Sequence, residues 1–383
     1  MALLVALALL GVSVALRGDE TSIPELYDTP ETVPTTSGEL LGSESFDGVP
    51  DDAQGWRIAY STKTTLGEPA VGSAFVMAPK DPPPGPRPVI LWTHGTVGIQ
   101  RPCAPSLFDD VSAGVPAVPE ALDNGWVMVA PDYVGMGTEG PFPYLIGRGQ
   151  AYSALDALRA AYKLEDVSLN EDQAVVWGHS QGGNAALWTG VLADDYAPDL
   201  TIDGVAALAP ATDLVSLAQR VQGAAAGTVV TAYFLTAYAT TYDDVRLDDY
   251  VRPGARVAVR EAAERCLTDP GLAASLIAAS SGESLFSADL ATGPLGDRLR
   301  ENTPTADMDA PLLVAAGTSD EVINIAINEG WVAKQCAAGY ELDFRKYPDR
   351  SHMGVLEADS PLTEELTAWT ADRFEGRPAA STC

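Results

Sequence analysis

From Val89 to Tyr347 the sequence keeps switching between two apolar periods, and this switching restricts the fold more than any other feature. Short continuous apolar runs fall at Val89–Thr93, Trp126–Ala130, Ala174–Trp177, Val205–Leu208, Pro311–Ala316 and Leu342–Tyr347. Between them lie stretches such as Gly149–Tyr162 and Gly183–Leu192, whose apolar residues recur at helical spacing. Strands apolar along their whole length are covered on both faces, and strand–helix alternation links parallel neighbours through crossovers. The expectation is an α/β fold: a mostly parallel sheet with helices on both faces. Arg57–Ser61 and Val71–Ala78, joined near Gly67, read as an antiparallel pair ahead of it, for about eight strands in all. Pro82–Pro88 reads as a loop, because proline cannot donate to a strand ladder. No period of roughly 20–50 residues repeats, which argues against solenoids and propellers.

One interval breaks the alternation. From Asp213 to about Thr305 the chain holds Ala-rich helical stretches and no core strand. That is far longer than an ordinary connection and implies a subdomain. The expected organisation is a core formed by 16–212 and 306–383, with 213–305 inserted as a helical cap. Its natural place is over the C-terminal edge of the sheet, where open α/β sheets bind ligands.

The chemistry concentrates at Gly178-His179-Ser180-Gln181-Gly182, between the strand Ala174–Trp177 and the helix Gly183–Leu192. A strand-to-helix turn this tight admits only small residues beside the central serine and thrusts its hydroxyl above the sheet, as in a nucleophile elbow. A serine hydroxyl needs a base to take its proton, and the chain contains three histidines. His179 lies inside the elbow and His94 ends a strand, which leaves His352, just after the last strand, as the base. Asp320 follows Pro311–Ala316 through a short polar turn and is the expected acid, with the adjacent Glu321 as its competitor. The order Ser180, Asp320, His352 is that of α/β-hydrolase triads. The oxyanion would be met by the backbone N–H of Gln181 and one from Gly95 or Thr96. Nothing in this set calls for a metal or cofactor.

The first residues, Met1 to Leu16, are almost wholly apolar. The run is shorter than the roughly 20 residues of a bilayer span. With Ser13-Val14-Ala15 as a small-x-small site, 1–15 reads as a secretory signal, although no basic residue precedes it; an uncleaved anchor is the alternative. A Pro-, Thr- and Glu-rich stretch from Asp19 to Gly38 follows, without periodicity. Cys103, Cys266, Cys336 and Cys383 suit an exported protein with two disulfides, and the sequence leaves all three pairings open. The formal net charge of −30 repels nucleic-acid phosphates and anionic lipid head groups. No stable protein partner is implied.

Together these residues resemble the secretory lipase family, the lipase A type of yeasts. The likeness runs through Leu26-Tyr27 with Pro30, Gly38-Glu39-Leu40-Leu41, Cys103-Ala104-Pro105-Ser106, Ala130-Pro131-Asp132-Tyr133 and Asp194-Asp195-Tyr196-Ala197-Pro198-Asp199-Leu200. It implies an α/β-hydrolase fold that cleaves carboxylic esters, triacylglycerols among them, without metal or cofactor. It also implies the pairings Cys103–Cys266 and Cys336–Cys383. The sequence departs from the yeast pattern at Gln181, in place of a small residue, and at His94 in the oxyanion loop.

A triad does not choose its acceptor, so a short-chain esterase, an acyltransferase and a peptidase remain alternatives on the same fold. A non-catalytic binding protein of this fold would be expected to lack a triad member. The uncharged segment Val221–Tyr242 reads either as the wall of an acyl tunnel or as a buried cap helix.

Overall fold

The computed structural model describes residues 22–221, 227–269 and 285–383. The expected signal at 1–15 lies outside them. Nine strands form one sheet: β1 (Leu40–Phe46), β2 (Ala53–Lys63), β3 (Pro69–Pro79), β4 (Arg87–Thr93), β5 (Val127–Pro131), β6 (Leu169–His179), β7 (Gly204–Leu208), β8 (Leu312–Gly317) and β9 (Asp343–Tyr347). Their order is β1-β2-β3-β5-β4-β6-β7-β8-β9. The pairs β1–β2, β2–β3 and β3–β5 are antiparallel, and every pair from β5–β4 to β8–β9 is parallel.

The apolar strands sort their side chains by parity, as a pleated strand must. Leu91, Val176 and Val314 face a cluster closed by the helices Gly147–Ala161 and Ile325–Ala337. Their chain neighbours Ile90, Val175 and Leu313 face a cluster closed by Val118–Asp123 and Pro361–Phe374. Trp177 is fully buried in that second layer, and its indole N–H donates to Thr370 Oγ1 at 3.0 Å. Truncating such a tryptophan to alanine costs about 3–5 kcal/mol.

The sheet has one strand more than the sequence pattern suggested. The extra strand is β1, LLGSESF, which lacks the apolar alternation of a half-buried strand. It forms by pairing with β2 over its length rather than by burying a face. The loop expected at Pro82–Pro88 ends earlier, because Arg87 and Pro88 already belong to β4. Proline is tolerated there because the β4–β6 register shifts between Arg87 and Val89. The antiparallel pair β2–β3 turns through Gly67 at φ 90°.

Between Leu214 and Glu301 the described residues form the helices Leu214–Val221, Gly227–Thr241, Leu247–Tyr250, Arg256–Ala263 and Gly293–Glu301, with one bridge from Val251 to Phe286 and no strand in the sheet. Residues 222–226, within the uncharged segment, and 270–284 lie outside the description. Cys103 is bonded to Cys266 and Cys336 to Cys383, the pairings that the resemblance implies. The second bond lays the C-terminal segment along β9, where the Thr382 N–H donates to the Leu342 carbonyl at 2.9 Å and Phe344 N–H to Thr382 Oγ1 at 3.0 Å.

Candidate active site

Ser180 occupies the turn from β6 into the helix Gln181–Tyr196 with φ 59° and ψ −118°, a conformation costly for a residue with a Cβ. Neighbouring backbone holds it there. The Ser180 N–H donates to the Leu208 carbonyl at 2.9 Å, and its own carbonyl accepts from Asn184 and Ala211, both at 3.1 Å. The flanking glycines are dictated by close approach. A Cβ on Gly178 would strike the Gly182 carbonyl and the Thr93 hydroxyl, and one on Gly182 the carbonyls of Thr93 and His94. A Cβ on Gly183 would lie 2.8 Å from Pro210 Cα.

The three residues expected to act together do converge. His352 Nε2 lies 2.8 Å from Ser180 Oγ, and its Nδ1 lies 2.7 Å from Asp320 Oδ2. The other carboxylate oxygen of Asp320 accepts the N–H groups of Val322 at 2.8 Å and Ile323 at 2.7 Å. With both oxygens accepting, Nδ1 carries the ring proton and the Nε2 lone pair faces the serine hydroxyl. All three residues come from the C-terminal ends of parallel strands, where the sheet presents them to one cleft.

Glu321 does something else. Its Oε2 accepts the backbone N–H of His352 at 3.2 Å. Its own backbone N–H and that of His352 hold its carboxyl below the usual range. His179 also holds the backbone of His352, for its Nε2 donates to the His352 carbonyl at 3.0 Å. Burial, reinforced by repulsion from His352, lowers the His179 imidazole to about 3, so it stays neutral.

Gln181 is the first residue of its helix, so its N–H has no acceptor within that helix, and a helix N-terminus favours negative charge. Its side chain is buried, and neither amide atom finds a protein partner. Across the cleft stands Gly95, where a Cβ would come 3.8 Å from Ser180 Cβ. His94 Nδ1 lies 2.7 Å from the Gly95 carbonyl. Because that peptide is trans, fixing the carbonyl turns the Thr96 N–H the opposite way. Burial lowers the His94 imidazole to about 4.

A cavity of about 280 Å³ opens from Ser180 and His352. Gly95 and Thr96 line it, as do Phe75, Trp92, Phe108, Val111, Val115 and Val230. Of the described part of the uncharged segment Val221–Tyr242, only Val230 reaches this cavity. Gly227, Ala232, Tyr233 and Leu235 are buried instead, the last three in a cluster that also takes in Phe142, Tyr144 and Leu145. Sequence reasoning missed Asp132 entirely as a support. It directly follows β5, is buried, accepts from the hydroxyls of Ser73 (2.7 Å) and Ser106 (2.6 Å), and so fixes the loop beyond Cys103. The only signal for it was the Ala-Pro-Asp-Tyr turn. Among the described residues no group of His, Cys, Asp and Glu is arranged to hold a metal.

The fold and this cleft define a serine hydrolase on an α/β-hydrolase scaffold. Residues 110–382 match the family described as secretory lipase, and the chain belongs to that family of ester hydrolases. Lipase 6 of Candida albicans is 29% identical over 374 residues, covering 87% of this chain and 76% of its own. A secreted triacylglycerol lipase of Malassezia globosa is 25% identical over 350 residues, covering 86% and 75%. A probable inactive lipase of Mycobacterium tuberculosis is 24% identical over 352 residues, covering 86% and 76%. The structure of Candida antarctica lipase A in its closed state superimposes with a TM-score of 0.76 at 20% identity, over 95% of this chain and 89% of that one, a likeness of fold.

Proposed function

We propose that this protein is an exported lipase that cleaves lipid esters through an acyl-enzyme on Ser180. The observation that carries this reading is the unbroken hydrogen-bond chain from Ser180 through His352 to Asp320 on a strained elbow. His352 Nε2 takes the hydroxyl proton as Oγ attacks the ester carbonyl, and the tetrahedral oxyanion meets the N–H groups of Gln181 and of Gly95 or Thr96. The C–O bond to the alcohol then breaks, and the proton passes from His352 to the leaving oxygen. Water repeats the sequence: His352 takes its proton, its oxygen attacks the acyl carbon, and Ser180 leaves with the proton returned. The described helices between Leu214 and Glu301 act as the cap over this cleft.

The intact Ser, His and Asp support activity, although one relative is named as inactive. Export is supported by the family, by the two disulfides and by the apolar segment at 1–15. Among the described residues no helix is long and apolar enough to cross a membrane. A second reading, a short-chain esterase, is favoured by the cavity of about 280 Å³, at the low end of ligand sites. Hydrolysis of nitrophenyl esters by wild type and Ser180→Ala tests the central reading. The variant should keep only roughly 10³–10⁴ over the uncatalysed rate, and wild-type rates in it would refute the role of Ser180.

A further inference from the structure

Thr96 is half-buried at the cavity wall beside Ser180, and its Oγ1 lies 2.6 Å from the phenolic oxygen of Tyr144. Tyr144 itself is 1% exposed, and Thr96 is its hydroxyl's hydrogen-bond partner. Burial pushes the Tyr144 phenol above its ordinary value, so it keeps its proton. A phenol is a stronger acid than an aliphatic alcohol and the poorer acceptor, so in this pair Tyr144 donates and Thr96 accepts. The Thr96 hydroxyl then has one proton left. Among the described residues no protein acceptor other than Tyr144 lies within reach of it, and the open side of Thr96 is the cavity.

The phenol is rigidly placed. Its ring packs edge-on against Tyr233, with centroids 5.9 Å apart, and beside Phe142 at 6.1 Å. Tyr233 belongs to the helix Gly227–Thr241, and its hydroxyl donates to the Arg265 carbonyl at 2.6 Å. Tyr144 therefore joins the helical segment to the loop that faces the nucleophile.

We propose that Tyr144 is a positioning residue for ester cleavage: by donating to Thr96 Oγ1 it directs the Thr96 hydroxyl at the oxyanion, as a donor additional to the backbone N–H groups. No proton is transferred. The hydroxyl shortens its bond to an oxygen that gains charge only in the tetrahedral state, so the benefit falls on kcat rather than KM. The inference rests on the reading of Ser180 as nucleophile and of the Gly95–Thr96 loop as part of the oxyanion hole.

The test is a double-mutant cycle on one ester substrate, with thermal melts as the control for folding and Ser180→Ala as the baseline. Thr96→Val should lower kcat by about 10²-fold with KM within about twofold, the size of a lost oxyanion donor. Tyr144→Phe should lower kcat by about tenfold in the Thr96 background and leave it unchanged in Thr96→Val. Thr96→Ser should restore most of the loss. An additive double mutant, an unaffected Tyr144→Phe, or a Thr96→Val enzyme with full kcat would each overturn the proposal while Ser180→Ala stays inactive. An active Ser180→Ala would instead overturn the reading beneath it. If Tyr144→Phe does not fold, 3-fluorotyrosine at position 144 serves: kcat should change with Thr96 present and not with Val at that position.

Discussion

His179 Nε2 donates to the carbonyl oxygen of His352 at 3.0 Å, so the residue beside Ser180 grips the backbone of His352. Glu321 takes the N–H of the same residue at 3.2 Å. The peptide groups on both sides of His352 are therefore held, and only the ring is left to Asp320 and Ser180. Burial keeps His179 neutral, which spares the ring of His352 a charged neighbour.

This division of labour separates the two adjacent acids. Asp320→Asn should cost about 10⁴-fold in kcat, because an amide can present its N–H to the ring and favour the wrong tautomer. Glu321→Gln keeps an acceptor for the His352 N–H and should stay within about tenfold of wild type. The check is kcat for both variants on one ester. The opposite ranking would make Glu321 the orienting acid.

The meeting of Ser180, His352 and Asp320 was legible in the sequence because their residue types are scarce and their positions follow strands. Three histidines and one strand–Gly-x-Ser-x-Gly–helix passage leave few combinations. The choice between Asp320 and Glu321 was not legible in the same way, since neighbouring acids differ only in where the loop turns them. β1 escaped because its stability comes from its ladder with β2, not from an apolar face. Tyr144 and Thr96 meet across 48 positions and His179 and His352 across 173, contacts that no local spacing encodes. The helix Gly227–Thr241 is apolar all round, so pattern alone could not say which side met the cavity.

The cavity makes acyl length the next observable. Each methylene that enters it should add up to about 0.8 kcal/mol, close to fourfold in kcat/KM, until the space is filled. The expectation is a rise from two-carbon esters to about eight-carbon esters. Val230→Trp should move the optimum to shorter chains, whereas Ala232→Val, buried away from the cavity, should change stability and not the optimum. A steady decline beyond four carbons would leave the triad untouched and make the enzyme a short-chain esterase.

His94 predicts how stability responds to acid. Its folded value, lowered to about 4, lies below the unfolded value near 6.5, so the folded protein binds fewer protons between them. Its contribution is present above about pH 6.5 and is lost as pH falls toward 4, at about 1.4 kcal/mol per unit. Asp132, pushed up to about 6 by burial, works in the opposite sense, so the difference between two proteins is the clean readout. Urea unfolding of wild type and His94→Asn at pH 7.5 and pH 5 should show wild type losing about 2 kcal/mol more than the variant. Parallel curves would show that His94 ionises as freely folded as unfolded.

The central claim is that Ser180, activated by His352, is the nucleophile, and covalent labelling reads it directly. A fluorophosphonate should modify wild type at one serine, mapped by mass spectrometry to Ser180, and the adduct should be absent from Ser180→Ala. Labelling should slow by several orders of magnitude in His352→Ala, since the two residues act as a unit. Labelling at another serine, or undiminished labelling of Ser180 without His352, would contradict the account.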